Sequence, residues 1–288
     1  MSICYELRRS VHLQRAFKMM WLIDLLSHQG PNICRSWLFA SPYREHYEAF
    51  VCGISLPPSA SKQWLTDTGL IHLMVVSGAH LHFVERGLGW FPVPLRLSAL
   101  VWYSWLTGWG APVVRALCRR LCVEAIRPWG WTPLQVEFLA TLALLVVHPQ
   151  WLWSRSFLMS WMCALALQLP RPRGRWYGLR WLDVSLKCYV LLFVFVPSSP
   201  FTMAWNALVG PLIGALLFPV TVMVVIWPAF QVIGDGLWWI FFTLLEHGPK
   251  PEPVVGSLPT TSIFWVPLFL HLALLYLEVK WRRAWAFS

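Results

Sequence analysis

The chain has 288 residues, 57% hydrophobic and only 12% charged, with a mean hydropathy of +0.55, whereas soluble domains average about 45–50% apolar and about 25% charged. So few ionic groups cannot cover a soluble globule of this size, which excludes a disordered chain, a disulfide-stapled secreted module and a soluble cytosolic enzyme. Lys and Arg outnumber Asp and Glu 23 to 13, a formal charge of +10, and the 21 tryptophans suit a membrane interface, so the composition is that of a polytopic membrane protein.

Residues 1–28 mix Arg8, Arg9, Arg15 and Lys18 with Leu13, Phe17, Met20 and Trp21 at three- and four-residue intervals. That spacing predicts an amphipathic helix lying on the membrane surface and ended by Gly30-Pro31. No cleavable signal peptide is visible, since the short apolar run Met19–Leu26 contains Asp24, so internal spans would direct insertion. Residues 31–67 carry Tyr43, Arg44, Glu45, His46, Tyr47 and Glu48 and are the most polar part of the chain, expected outside the hydrocarbon. Residues 1–67 therefore read as an N-terminal interfacial region. Seven scattered cysteines form no C-x-x-C pair, and a Cys34–Cys52 disulfide depends on whether that stretch meets an oxidising compartment.

From residue 68 a membrane-embedded domain is expected to run to residue 283. Residues 68–85 are apolar but interrupted by His72, Ser77, Gly78, His80 and His82. The charge-free run between Arg96 and Arg115 is long enough for one span, and residues 111–127 read as a basic amphipathic helix with Arg115, Arg119 and Arg120 flanking an apolar stripe. Two short apolar stretches on either side of Arg155 suggest a tight helical hairpin, and Arg171, Arg173, Arg175, Arg180 and Lys187 mark a cytoplasmic loop. No charged side chain occurs from Cys188 to Gly234, yet Pro197, Pro200, Pro211, Pro219 and Pro228 interrupt the run. In lipid such breaks require packing inside a bundle or against a wet path. Further spans are predicted at 234–246 and 262–279. The expectation is an all-α membrane bundle with broken or re-entrant helices and about six to eight membrane segments.

Polar groups inside a membrane segment are costly and mark function by default. His72, Ser77 and His80 therefore line or gate a channel, or tie their helix to its neighbours, or supply Ser77 as a nucleophile with a histidine base. The last arrangement lacks an oxyanion motif, and Ser77 and His80 lie close together for nucleophile and base on a regular helix. Asp235 reads as a helix end between spans, and His148, His247 and His271 as interfacial or interhelical contacts. No metal-ligand spacing and no nucleotide-binding G-x-x-x-x-G-K-[ST] loop occur, so neither metal nor cofactor is expected.

Gly69, His72, Leu73, Val76, Ser77, Gly78 and His80 fall on a pattern that resembles the signature of the ComEC family of competence proteins, with Met74, Val75 and Ala79 as mild departures. Three later stretches resemble that family in order and spacing. They are Pro112-Val-Val-Arg115-Ala116, Pro149 to Leu152 followed by Ser156-Phe157 and Ser160, and Asn206 to Pro211 followed by Pro219. The resemblance covers roughly residues 40–245. It implies an inner-membrane channel that admits single-stranded DNA during natural transformation, not an enzyme, supplied by a separate DNA receptor and a helicase-like motor. Larger members also carry a metallo-β-lactamase-like nuclease domain. Here His80-Leu-His82 is followed by Phe83-Val-Glu85 and not by the Asp-His that such a fold needs, so no C-terminal nuclease domain is expected. A strand path needs cations for phosphates and aromatic faces for bases. Arg115, Arg119 and Arg120 near Trp129 and Trp131 offer both, and interfacial anchoring explains the same residues. The signature residues His72, Ser77, Gly78 and His80, together with Asn206 and Pro211, are the expected channel residues. The expected partners are single-stranded DNA, the lipid bilayer and a second copy of the chain. Two readings compete with the channel: an intramembrane serine hydrolase built on Ser77, and a truncated relative that no longer transports.

Overall fold

The computed structural model describes residues 29–67, 70–71, 77–169, 180–192, 207–210, 212–247 and 264–286. Every regular element among these is helical, and no strand occurs among the described residues. The predicted surface helix over 1–28, the arginine-rich stretch 171–179 and three expected channel residues, His72, Asn206 and Pro211, lie outside them.

The polar stretch after residue 28 is a compact cluster of three short helices: α1 (29–36), α2 (Arg44–Val51) and α3 (Ala60–Asp67). Gly30 and Pro31, expected to end a helix, are themselves helical within α1. Cys34 and Cys52 form a disulfide that closes the loop around α2. Six of the eight residues of α2 are buried, including Tyr47 and Phe50, so this polar region is packed into the core. The buried Glu48 accepts from Arg35 Nε and Arg44 Nε, both at 2.9 Å.

The signature segment is not one continuous helix. Ser77 is extended (φ −126°, ψ 172°), and α4 (Gly78–Gly87) starts after it. Next comes α5 (Val93–Leu106), whose 14 residues rise about 21 Å. The run between Arg96 and Arg115 is thus divided between this helix and the next instead of forming one continuous helix. Gly108 and Trp109, both at positive φ, turn the chain into α6 (Ala111–Ile126). The expected hairpin is present as α7 (Pro133–Val147) and α8 (Arg155–Gln168), joined by a 3-10 turn over Pro149–Trp153. Thr132 caps α7 from its side chain, accepting from Gln135 N, and Ser154 caps α8 by accepting from Phe157 N. Then α9 (Arg180–Leu192) packs on α8.

The proline-interrupted run carries a π-helical turn over Ile213–Leu217 that leads into α10 (Phe218–Ile226). Pro219 accounts for the turn, because it cannot donate to Ala215 O and its ring crowds that carbonyl. A 3-10 turn at Pro228–Phe230 then starts α11 (Gln231–His247), and α12 (Trp265–Ala286) completes the described order. Among the described residues, two helical stretches are long and apolar enough to cross a membrane, Ala207–Ile226 and Pro228–His247.

Two apolar clusters share one wall. Phe50, Leu65, Leu100, Phe218 and Trp238 form the first with Val113 and Leu117 of α6. The second contains Leu144, Phe157, Trp161 and Leu165 of α7 and α8, packed on Val114 and Cys118 of α6 and Leu270 of α12. Inside it His271 is fully enclosed, accepting from Trp161 Nε1 and lying against Leu134 O, both at 3.0 Å. It is an interhelical contact, as its isolation in the sequence suggests. Helix α6 packs against α4, α5, α7 and α8 and contributes side chains to both clusters.

Candidate functional site

Ser77 and His80 form the entrance to α4. His80 occupies the third helical position, and its Nδ1 accepts the Ser77 backbone N–H at 2.9 Å; Ser77 Oγ lies 3.1 Å from the same nitrogen. This is the capping-box spacing, with histidine where glutamate or glutamine is usual. The ring is buried edge-on against Phe50 (4.9 Å between centroids) and Phe218 (4.7 Å). Nδ1 therefore carries no proton and its lone pair faces the helix start, already engaged by a backbone donor.

Gly78 explains itself by contact. A Cβ at this position would lie 3.1 Å from Ala116 Cβ, 3.4 Å from Pro112 O and 3.8 Å from Ser160 Oγ. The missing side chain lets the start of α4 lie directly on α6. One turn further on, Phe83 lies against Gly214 in the π-helical turn and stacks near Phe218. Residues from distant parts of the sequence thus meet around α4 and α6: Gly78 with Pro112, Ala116 and Ser160, and Phe83 with Gly214.

Below this contact lies a charged junction. Arg115, 5% exposed, donates from Nη1 to Glu137 of α7, whose side chain is fully buried. It also donates to Ser160 Oγ of α8 from Nε (3.1 Å) and Nη2 (3.0 Å). Arg119 Nε sits 2.9 Å from the other carboxylate oxygen, Glu137 Oε2. That is an ion-pair contact without hydrogen-bond alignment, and Oε2 accepts no hydrogen bond among the described residues. Arg120 bridges Glu85 of α4 and Glu124 of its own helix, and His82 Nδ1 stands 3.8 Å from Glu85. Three arginines thus face three carboxylates, 3 − 3 = 0. The helix that reads as a free basic face in the sequence is internally neutralised here.

Glu137 was not singled out in the sequence. The available signal for Glu137 is its position as the sole charged residue of α7. Trp129 and Trp131 are exposed near the end of α6. Asp235 is not a bare helix end: Ser41 Oγ and Tyr47 O–H donate to its Oδ1 at 2.8 and 3.0 Å, tying α11 to the disulfide-bonded segment. Among the described residues no group of His, Cys, Asp or Glu is arranged to hold a metal ion.

Fold and site define an all-helical protein with apolar helices long enough to cross a membrane and a polar junction where four of its helices meet. More particularly, the chain belongs to the competence-protein family, which it matches over residues 55–283. It is similar to the uncharacterized protein YcaI of Escherichia coli (strain K12), 24% identical over 241 residues that cover 68% of this chain and 31% of that protein. The chain thus spans about a third of the length of that relative. No solved structure matches it.

Proposed function

We propose that this chain forms the path by which single-stranded DNA crosses the bacterial inner membrane during transformation. The observation that supports the reading is the meeting of Gly78, Pro112, Arg115, Ala116 and Ser160, drawn from three family-like stretches, beside one charged junction at α4 and α6. Cations set at helix junctions serve a polyanion in any sequence context, because phosphate attraction does not depend on base identity. Arg119 contacts the strand in this reading, Arg115, buried beneath it, holds the wall, and Arg120 ties α4 to α6 through Glu85. The chain crosses the membrane several times, six to eight in all, with the short helices completing the bundle around the two long ones. The Cys34–Cys52 disulfide supports an outward-facing position for α1 to α3, where an oxidising compartment keeps it closed. A separate receptor delivers the strand, a helicase-like motor draws it in, and a second copy of the chain completes the path.

The contact of Ser77 Oγ with His80 Nδ1 is the one feature that favours hydrolysis. A general base needs a free lone pair toward its nucleophile. The His80 lone pair receives the backbone N–H of Ser77, so we assign the pair to helix capping and not to catalysis.

A strain deleted for this chain is expected to keep labelled DNA at its surface in nuclease-sensitive form and to admit none in protected form. Re-expression of the wild-type chain should restore protected DNA. Equal protected DNA with and without the chain overturns the proposal.

A further inference from the structure

The three arginines of α6 are not neutralised evenly. Arg120 stands between two carboxylates, Glu85 and Glu124. Arg115 and Arg119 share the single carboxylate of Glu137, a balance of 2 − 1 = +1. The remaining partner of Arg115 is the hydroxyl of Ser160, which accepts two of its N–H bonds but brings no charge. The surplus positive charge therefore sits on a buried platform, and the question is where it becomes available.

Exposure decides this. The Arg115 side chain is 6% exposed and its Nε, Nη1 and Nη2 all have partners, so it has nothing to offer a ligand. The Arg119 side chain is 32% exposed. Its Nε stands 2.9 Å from Glu137 Oε2 without hydrogen-bond alignment, and its two terminal nitrogens make no hydrogen bond among the described residues, which leaves them for a second, external anion. A planar guanidinium presents a forked pair of donors that matches two oxygens of one phosphodiester group.

We propose that Arg119 is the phosphodiester-binding residue of the junction, and that Glu137 is its positioning residue, holding the Arg115–Arg119 pair one charge short of neutrality so that a DNA phosphate completes it. This rests on the reading of the chain as a strand path and sharpens it. Of the three arginines expected to meet DNA, one binds phosphate, one is a buried brace, and Arg120 is closed off by its own carboxylates.

Each assignment changes the salt dependence of binding in a defined direction. For a single strand, log K falls with log salt by about 0.7 per phosphate neutralised. The full chain, in nanodiscs of zwitterionic phosphatidylcholine, is titrated with a fluorescein-labelled oligothymidylate over a series of sodium chloride concentrations and followed by anisotropy. Arg119→Gln is expected to flatten the slope by about 0.7, and Glu137→Gln to steepen it by about 0.7, because the charge it leaves uncompensated is then met by the strand. Arg120→Gln should not flatten it. A merely structural role for Glu137 lowers affinity without steepening the slope. Where Glu137→Gln does not yield folded protein, Arg119→Gln decides alone, since it leaves the buried Arg115–Glu137–Ser160 contacts intact. A slope for Arg119→Gln equal to that of the wild type overturns the proposal. So does a Glu137→Gln variant that binds with the wild-type slope. If the surplus charge serves a lipid headgroup, Arg119→Gln loses co-purifying phosphatidylglycerol with an unchanged DNA slope, which also overturns it. A wild-type chain that binds no oligothymidylate sinks the strand-path reading itself, an outcome distinct from wild-type binding with unaltered variant slopes.

Discussion

His80 accepts the backbone N–H of Ser77 through Nδ1, at 2.9 Å, three residues along the chain and inside a cage of Phe50 and Phe218. The histidine thus completes a helix start and fills a core site at once, and the two roles can be separated by substitution. Leucine at this position keeps the bulk but leaves the Ser77 N–H without its acceptor, at a cost of about 1–3 kcal/mol. Glutamine keeps an acceptor at the third helical position and loses ring packing. Both His80→Leu and His80→Gln are expected to lower the unfolding temperature. Ser77→Ala removes only the hydroxyl at the cap, with an expected loss of about 0.5–2 kcal/mol. Its DNA admission should persist, and labelling of wild-type Ser77 by a serine-reactive phosphonate would contradict the capping assignment.

The packing of Gly78 on Ala116 makes a second, pairwise prediction. A methyl group at residue 78 would stand 3.1 Å from Ala116 Cβ, tight enough that one backbone must give by a few tenths of an ångström. Gly78→Val introduces more bulk than the gap accepts, and overpacking of this kind costs about 1–3 kcal/mol. Ala116→Gly opens space on the facing side. The double variant Gly78→Ala with Ala116→Gly should therefore be more stable than the sum of the two single effects, a coupling that a double-mutant cycle of thermal unfolding measures. Strict additivity would mean that the helices do not touch there.

Much of this was legible in the sequence because covalent chemistry limits what each residue can do. Helical class followed from apolar runs with few charges, and the hairpin of α7 and α8 from two short runs meeting at Arg155. Pro219 and Pro228 announced breaks that the structure shows as a π-helical turn and a 3-10 turn. Partners were not legible. Arg115 looks the same in a sequence whether it faces water or Glu137, twenty-two residues away, and a run of 31–67 rich in polar groups looks exposed when Glu48 is paired with Arg35 and Arg44. Nor did the sequence show the break after α5: the run after Arg96 is continuously apolar, but the helix ends at Leu106 and the chain turns at Gly108 and Trp109, both at positive φ. These outcomes depend on tertiary pairing, which local pattern does not encode.

His46 supplies a pH prediction outside the candidate spans. It lies in α2, largely enclosed, with Nε2 3.2 Å from Ser61 Oγ and its ring edge-on to Phe242 at 4.5 Å. Burial disfavours the charged imidazolium and lowers its pKa from 6.5 to about 4. The unfolded chain therefore takes up the proton first as pH falls, so stability is full above about 6.5 and declines toward about 4. Thermal unfolding in detergent across that window should show a falling midpoint. His46→Phe retains an aromatic ring against Phe242 and does not titrate. Its midpoint should fall less steeply over the same interval, and parallel curves for the two proteins would assign the acid sensitivity to other groups.

Asp235 offers the last test, because two elements depend on one carboxylate. Oδ1 accepts from Ser41 and from the buried Tyr47, while Gln231 Nε2 donates to Ala40 O at 2.7 Å and lies 3.4 Å from Oδ2. The disulfide-bonded segment is thus fastened to α11 at the helix that carries Trp238 and Phe242 against α2. Asp235→Asn preserves an oxygen for both hydroxyls and forfeits the charge-assisted part of each bond, so a loss of about 1–2 kcal/mol is expected. Asp235→Ala strands the Tyr47 hydroxyl, which is 1% exposed at the residue level, without an acceptor and should cost more. Adding Tyr47→Phe to Asp235→Ala removes the stranded group and should recover part of that loss, whereas Tyr47→Phe alone destabilises. The sign reversal of the Tyr47 effect, read from unfolding midpoints of the four proteins, identifies the hydrogen bond as the fastening; the same destabilising effect in both backgrounds would show that apolar packing alone holds the segment in place.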